Sequence, residues 1–250
     1  AQARQRLQAD PARRAHPANL LEAMLVAADE PDSGIDDRQV AGNVLTMLLA
    51  GEDTTANTLA WTIDLLWRHP AALARARDEV RAAVPAGGIA TLEQLAGLDW
   101  VEACAHEAMR LKPVAPFLPL QAEHDTVVGD VAVPRGMIVM NLLRHDSVSE
   151  AHLPNAQGFD PARWLAEGHS AGQVGSSPKR IAMPFGAGPR MCPGRYLALL
   201  EMKIALATLF THFDIEAVTT PDGTEAAEWL AFTMAPLGLT MRLRERLPAP

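Results

Sequence analysis

The chain has 250 residues, 48% of them hydrophobic and 21% charged, with 22 Lys and Arg against 30 Asp and Glu for a net charge of −8. This is ordinary globular composition, enough for one large domain or two small ones, and the acidic balance argues against a nucleic-acid surface. The two cysteines, Cys104 and Cys192, lie far apart, which excludes a disulfide scaffold or zinc-finger pattern and suits a reducing compartment; no apolar run reaches the length of a membrane span, and no signal peptide is visible.

Residues 1–35 are expected to form a connector and a short helix. Ala1 to His16, rich in Ala, Arg and Gln, reads as the end of a helix and a solvated connector, broken at Asp10-Pro11. Asn19 starts a short helix through Leu20, Leu21, Met24 and Leu25, and Pro31-Asp32-Ser33-Gly34 is a turn. Asp36 or Asp37 then caps a long helix running to about Arg68, with Val40, Val44, Leu48, Leu59, Ile63 and Leu66 at helical spacing. About 32 residues give a rod of roughly 48 Å. Its middle, Ala50-Gly51-Glu52-Asp53-Thr54-Thr55, is built from poor helix formers. Alone, that run fits a Gly/Thr kink with a solvated acidic face.

His69-Pro70 stops the helix, and a second runs from Pro70 through Val84 with Leu73, Ala76 and Val80 inward. Thr91-Leu92-Glu93-Gln94 reads as a capping box. Asp99 to Leu111 is helical and carries Glu107 and Arg110 on one face; alone this is a surface ion pair of about 1 kcal/mol at most. Cys104, on the same helix, reads as core packing. The Pro-rich stretch Val114 to Leu120 is extended. Thr126–Val128, Val131–Val133 and Met137–Asn141, separated by Gly129-Asp130 and Pro134-Arg135-Gly136, read as a small antiparallel meander. His145, His152 and His169 lack metal-ligand spacing and read as surface residues. Glu167 to Ser177 reads as a flexible insertion. Tyr196 to Phe210 is a helix; Phe213–Val218 and Leu239–Leu243 are closing strands around a Pro221-Asp222-Gly223 turn.

Phe185-Gly186-Ala187-Gly188-Pro189-Arg190-Met191-Cys192-Pro193-Gly194 carries the chemistry. Glycines let the backbone approach a flat ligand closely. Cys192 precedes a helix, with Pro193 expected in its first turn, and a helix N-terminus favours the thiolate, the metal-binding form. Arg190 can pair with a carboxylate. A lone cysteine there would read as buried in a glycine-rich loop.

Phe185, Gly188, Arg190, Cys192 and Gly194 together match FxxGxRxCxG, and the chain thereby resembles the cytochrome P-450 family of haem-thiolate monooxygenases. Ala50 to Thr55 matches that family's oxygen-groove pattern [AG]Gx[DE]T[TS], Glu107 to Arg110 its ExxR element, and Pro161-Ala162-Arg163-Trp164 its Pro-x-Arg-aromatic segment, all in the family's order.

The resemblance implies a mainly α fold with small antiparallel β-sheets. It covers the family's C-terminal portion, here residues 36–250; members carry roughly as much chain again before the groove helix, including a WxxxR pattern that is not found here. It implies haem b held by Cys192 as axial thiolate, with Phe185, Gly186, Gly188, Arg190 and Gly194 around it. Asp53 would relay protons and Thr54 would hydrogen-bond dioxygen or its water. Glu107, Arg110 and Arg163 would form a buried structural triad under the haem loop. Ala50, Val114, Ala115, Phe117, Thr233 and Met234 would line the substrate. The activity implied is insertion of one oxygen atom into a lipophilic substrate, with two electrons from NAD(P)H through a separate reductase or ferredoxin, in a monomeric, cytoplasmic, bacterial protein. The alternatives are a truncated, non-catalytic haem-binding fragment, and a peroxygenase or isomerase of the same family; the intact Asp53-Thr54 pair weighs against the latter.

Overall fold

A computed structural model describes residues 2–85, 87–165 and 177–246; most of the expected insertion, Glu167 to Ser176, and His169 with it, lies outside them. The chain forms two compact units, residues 1–53 and 54–250. The division between them falls inside the long helix.

The first unit is helical from its start. Helices α1 (Gln2–Ala9), α2 (Pro11–Ala15) and α3 (Leu20–Ala28) precede α4 (Asp37–Arg68). The Asp10 carboxylate accepts from the Ala12 and Arg13 amides, and the Asn19 side chain from the Glu22 amide, so both short helices have the caps their sequences offer. Leu7 packs with Leu25 and Val40 in a small core, while Arg4 pairs with Asp29 at 2.6 Å and with Asp37. Residues 2–16 are therefore packed structure, not the solvated connector their polar composition suggests: one buried leucine in this stretch is too thin a pattern to read. Helix α4 continues unbroken through Ala50–Thr55, and Leu45, Leu48 and Leu49 on it are exposed.

The second unit holds the rest of α4, α5 (Pro70–Ala83), α6 (Leu92–Ala96), α7 (Asp99–Leu111) and α10 (Arg195–His212). Leu73, Ala76 and Val80 of α5 pack with Val101 and Cys104 of α7 and Leu206 and Phe210 of α10 into the main core. Thr91 and Gln94 form the expected capping box on α6. Leu98 cannot cap α7, and Glu79 of α5 does so from outside: its two carboxylate oxygens accept the Trp100 and Val101 amides at 2.7 and 2.9 Å.

Strands β1 (Phe117–Gln121), β2 (Thr126–Val128), β3 (Val131–Val133) and β4 (Ile138–Leu142) do not form a meander. β2 pairs with β3, but β4 pairs antiparallel with β1. The reason lies at the Pro134-Arg135-Gly136 turn, where Gly136 donates to Ala122 and Ala122 to Met137, steering β4 away from β3. Pro119, which has no N–H to give, sits in β1 opposite Met140. Phe117, Leu120, Ile138, Met140 and Leu142 of this two-stranded ribbon are exposed. Short helices α8 (Leu143–Ser147) and α9 (Pro178–Ala182) flank a 3-10 turn at Pro161–Trp164. β5 (Phe213–Thr219) pairs with β8 (Thr240–Glu245), and β6 (Ala227–Leu230) with β7 (Met234–Leu237). Thr233-Met234 is thus the end of a hairpin turn and the start of a strand, not an open loop. Among the described residues no helix is long and apolar enough to cross a membrane.

Candidate active site

The Cys192 loop is folded by three left-handed backbone positions in succession. Met183 ends α9 at φ +41°, and Gly186 and Gly188 follow at +74° and +67°. Gly186 donates to Met183, Met191 to Gly188, and the Cys192 amide to the Phe185 carbonyl at 2.9 Å. A side chain at either glycine would be strained by its φ, so both present bare backbone. Pro193 is not in the first turn of α10; Gly194 is the N-cap and accepts from Ala198, which leaves Pro193 one residue ahead of the cap. A β-carbon on Gly194 would stand 3.9 Å from the Cys192 sulfur.

Phe185 anchors the loop. It packs on the cluster of Ala105, Met109 and Met202, joining α7 to α10, and meets the His106 ring edge-on at 6.2 Å. His106 in turn stacks on Trp164 at 4.9 Å. Cys192 is half-buried and Arg190 is exposed, with no ion pair among the described residues. Arg195 donates to the Cys192 carbonyl at 3.3 Å.

Beneath lies the ion cluster. Glu107 and Arg110 are fully buried and Arg163 nearly so. Arg110 engages the Glu107 carboxylate with two bonds, Nη2 at 2.7 Å and Nε at 2.8 Å. Arg163 Nε donates to the same carboxylate at 3.0 Å, and so do Trp164 Nε1 at 2.8 Å and the Asp160 amide at 2.9 Å. Five donors therefore satisfy one buried carboxylate, the condition under which a buried pair is tolerable. The remaining guanidinium donors reach carbonyls of Ser147, Ala156 and Gly158 from Arg110, and of Pro154 and Asn155 from Arg163. Trp164 and these carbonyls were not read as partners from sequence. An indole immediately after Arg163 was the one available signal for Trp164.

One turn N-terminal, Glu102 has its pKa lowered to about 2, held there by the His106 imidazole 3.7 Å away and the Lys203 ammonium at 2.5 Å, against the opposing effect of burial. Its ordinary value is 4.5. A depressed acid contributes stability that is complete above the unfolded pKa and lost as pH falls through the folded one. The stability difference between the wild type and Glu102→Gln is therefore expected to be constant above about pH 5 and to vanish between 4.5 and 2. Urea titrations at stepped pH measure it; a difference that persists at pH 2 would refute the assignment.

The other sequence-derived residues divide by unit. Ala50 and Asp53, both exposed, end the first unit, and half-buried Thr54 begins the second. The Thr54 carbonyl accepts from the Thr58 hydroxyl at 2.7 Å. In the second unit Val114, Thr233 and Met234 are brought together: the Met234 amide donates to the Val114 carbonyl, and the Thr233 and Met234 side chains are buried. Ala115 and Phe117 are exposed. Three residues not singled out from sequence hold this region. Asn57 Nδ2 donates to Thr233 Oγ1 at 2.7 Å, Trp61 Nε1 to the Met234 carbonyl at 3.1 Å, and Lys112 pairs with Glu225 and Glu228 at 3.0 and 2.7 Å. Asn57 lies one turn from Thr54, a spacing that could have flagged it. His145 and His152 are solvent-facing. Burial raises the pKa of Cys104, so it stays a thiol.

The residues around Cys192 fit a haem. Among the described residues no group of three or more His, Cys, Asp or Glu could chelate a bare metal ion. A lone half-buried cysteine suits an iron whose other ligands arrive with a macrocycle. Gly186 and Gly188 leave room for a flat ring, and Arg190 has a free charge for a carboxylate.

This loop and fold define a haem-thiolate class of protein. The profile of the cytochrome P450 family matches residues 1–242, and the chain belongs to that family. Human mitochondrial 25-hydroxyvitamin D-1 alpha hydroxylase is 37% identical over 181 residues, covering 72% of this chain and 34% of the human protein. The cytokinin hydroxylase of Arabidopsis thaliana is 31% identical over 196 residues, covering 78% and 37%. Among solved structures, cytochrome P450 CYP102L1 superposes with a TM-score of 0.80 at 32% identity, over 95% of this chain and 54% of that one. The P450DA haem domain does so at 30% identity, over 96% and 54%. The fold is thus mainly α with small antiparallel sheets, as in P450 haem domains. The chain spans about a third of the length of these curated relatives and about half of the solved haem domains.

Proposed function

We propose that residues 36–250 are the cysteine-bearing, haem-binding portion of a P450 monooxygenase acting on a lipophilic organic substrate. The observation that carries the reading is the Cys192 loop, with two bare left-handed glycines before the sulfur and Phe185 locking it to α7 and α10. When bound, haem b supplies the redox chemistry that inserts one atom of dioxygen into the substrate. Cys192 is the residue that would hold the haem iron through its thiolate and would donate electron density to it. Arg190 pairs with a propionate carboxylate. Thr54 holds a proton at its hydroxyl on the oxygen side, and Asp53, the preceding exposed residue, exchanges that proton with solvent. Glu107, Arg110 and Arg163 have no chemical step; they fix the backbone on which Trp164 and His106 support Phe185.

Two electrons per turnover come from NAD(P)H through a reductase or ferredoxin. A separate carrier is our reading for this chain, although one relative, 32% identical over 208 residues, is named a self-sufficient P450 monooxygenase. The absorption spectrum of the reduced chain under carbon monoxide tests the reading. A strongly red-shifted Soret band is the expected result. An unshifted band would overturn thiolate ligation, and no haem band would favour the alternative of a non-catalytic portion.

A further inference from the structure

We propose that Asn57 is a positioning residue whose hydrogen bond to Thr233 sets the distance between the oxygen-side residue Thr54 and the substrate-side hairpin β6–β7. The inference rests on the proposed function for the meaning of those two sides. The bond itself, Asn57 Nδ2 to Thr233 Oγ1 at 2.7 Å, joins residues 176 apart in sequence.

The hairpin has little packing of its own. All four residues of β6 are exposed, as is Phe232 at the tip. A two-stranded ribbon in that state is marginal unless tied down. Its base is tied by charge: Lys112, which lies 4.9 Å over the Trp61 ring, pairs with Glu225 and Glu228, and Arg144 also pairs with Glu228. Two bonds to Met234, from Trp61 and to Val114, hold the backbone where β7 begins. The turn before it, Ala231 to Thr233, has only Thr233 buried, and the Asn57 amide is the side-chain group that grips it. Behind Asn57 a cavity of about 220 Å³ is lined by Asn57, Ala60, Ile63, Pro236, Leu239 and Met241, among others. Close packing is thus interrupted beside Asn57, and its hydrogen bond is a polar side-chain tie from α4 to the turn. Asn57 stands three residues after Thr54 on α4, so Thr54 and the turn are registered to each other through one helical turn of rigid backbone.

Two readouts test this. In hydrogen exchange on the full chain, Asn57→Leu is expected to speed exchange at amides 231–235 by about tenfold, leaving the β5–β8 pair unchanged. Thr233→Val should do the same, and the double variant should add nothing, since both act through one bond. Asn57→Asp should restore protection, because the Thr233 hydroxyl can donate to the carboxylate. In the haem-loaded chain, spectral titration with imidazole and with 4-phenylimidazole separates positioning from mere support. The phenyl-bearing azole is the larger of the two, and on the functional reading above it is the one that would meet the hairpin. Asn57→Leu is expected to weaken 4-phenylimidazole by about tenfold and leave imidazole and the carbon monoxide band unchanged. Unchanged exchange, or an unchanged ratio between the two azoles with the band intact, overturns the inference. Loss of the red-shifted band already in the wild type overturns instead the functional reading on which it rests.

Discussion

Cys192→Ser is expected to abolish the red-shifted Soret band of the reduced, carbon monoxide-treated protein while leaving the fold almost untouched. A serine hydroxyl does not ionise near neutral pH and is no substitute for a thiolate. Cys192 is half-buried and its backbone, not its sulfur, makes the bond to Phe185, so the urea midpoint should shift by no more than about 0.5 kcal/mol equivalent. Cys104→Ser should behave oppositely. Cys104 is wholly buried in the main core, and a hydroxyl placed there without a partner costs about 1–3 kcal/mol but leaves the band in place. A red-shifted band that survives Cys192→Ser would remove Cys192 as the ligand.

Glu107→Gln is expected to be the most destabilising single change in the second unit, by about 3–5 kcal/mol. The amide keeps one acceptor oxygen where two now take five bonds, and it removes the one carboxylate hydrogen-bonded to both buried guanidiniums, leaving Arg163 only the longer 4.0 Å approach of Asp160. Against a total stability of about 5–15 kcal/mol, the chain should lose most of its margin. The check is urea unfolding followed by circular dichroism; a loss below about 1 kcal/mol would mean the cluster is solvated like a surface pair. Because Glu107 touches Trp164 rather than the loop, loss of haem uptake should track loss of fold and not precede it.

What could be read from the sequence follows from which interactions carry residue identity. The turn of the Cys192 loop was legible because the positive φ at Gly186 and Gly188 demands glycine. The α5 and α7 helices were legible because Leu73, Ala76 and Val80 repeat at the helical period and all are buried. The capping box at Thr91 was legible because each of its two bonds needs a side-chain acceptor, from Thr91 or from Gln94. The pairing of β4 with β1 was not, since strand partners are chosen by backbone groups that every residue shares. The β6–β7 hairpin escaped because its turn, Ala231-Phe232-Thr233, contains no Gly, Asn or Pro to mark it. Leu48 matched the helical repeat yet is exposed, because periodicity says which residues share a face and not what covers that face. The carbonyls that complete the Arg110 and Arg163 shells were invisible for the same reason as the strand pairing.

Arg110 and Glu107 together clasp chain that is 37 to 57 residues downstream, from Ser147 to Trp164. Closing loops of that length is entropically slow compared with winding α5 or α7. The helices should therefore assemble first, and the 147–164 segment should dock onto a preformed α7 as a late step. Trp164 and His106 support Phe185, so the cysteine loop acquires its final backing only when that docking is done. On the proposed reading, capture of haem iron would then fall near the end of the folding sequence, and a nascent chain meeting haem early would meet it before the Cys192 loop is ready.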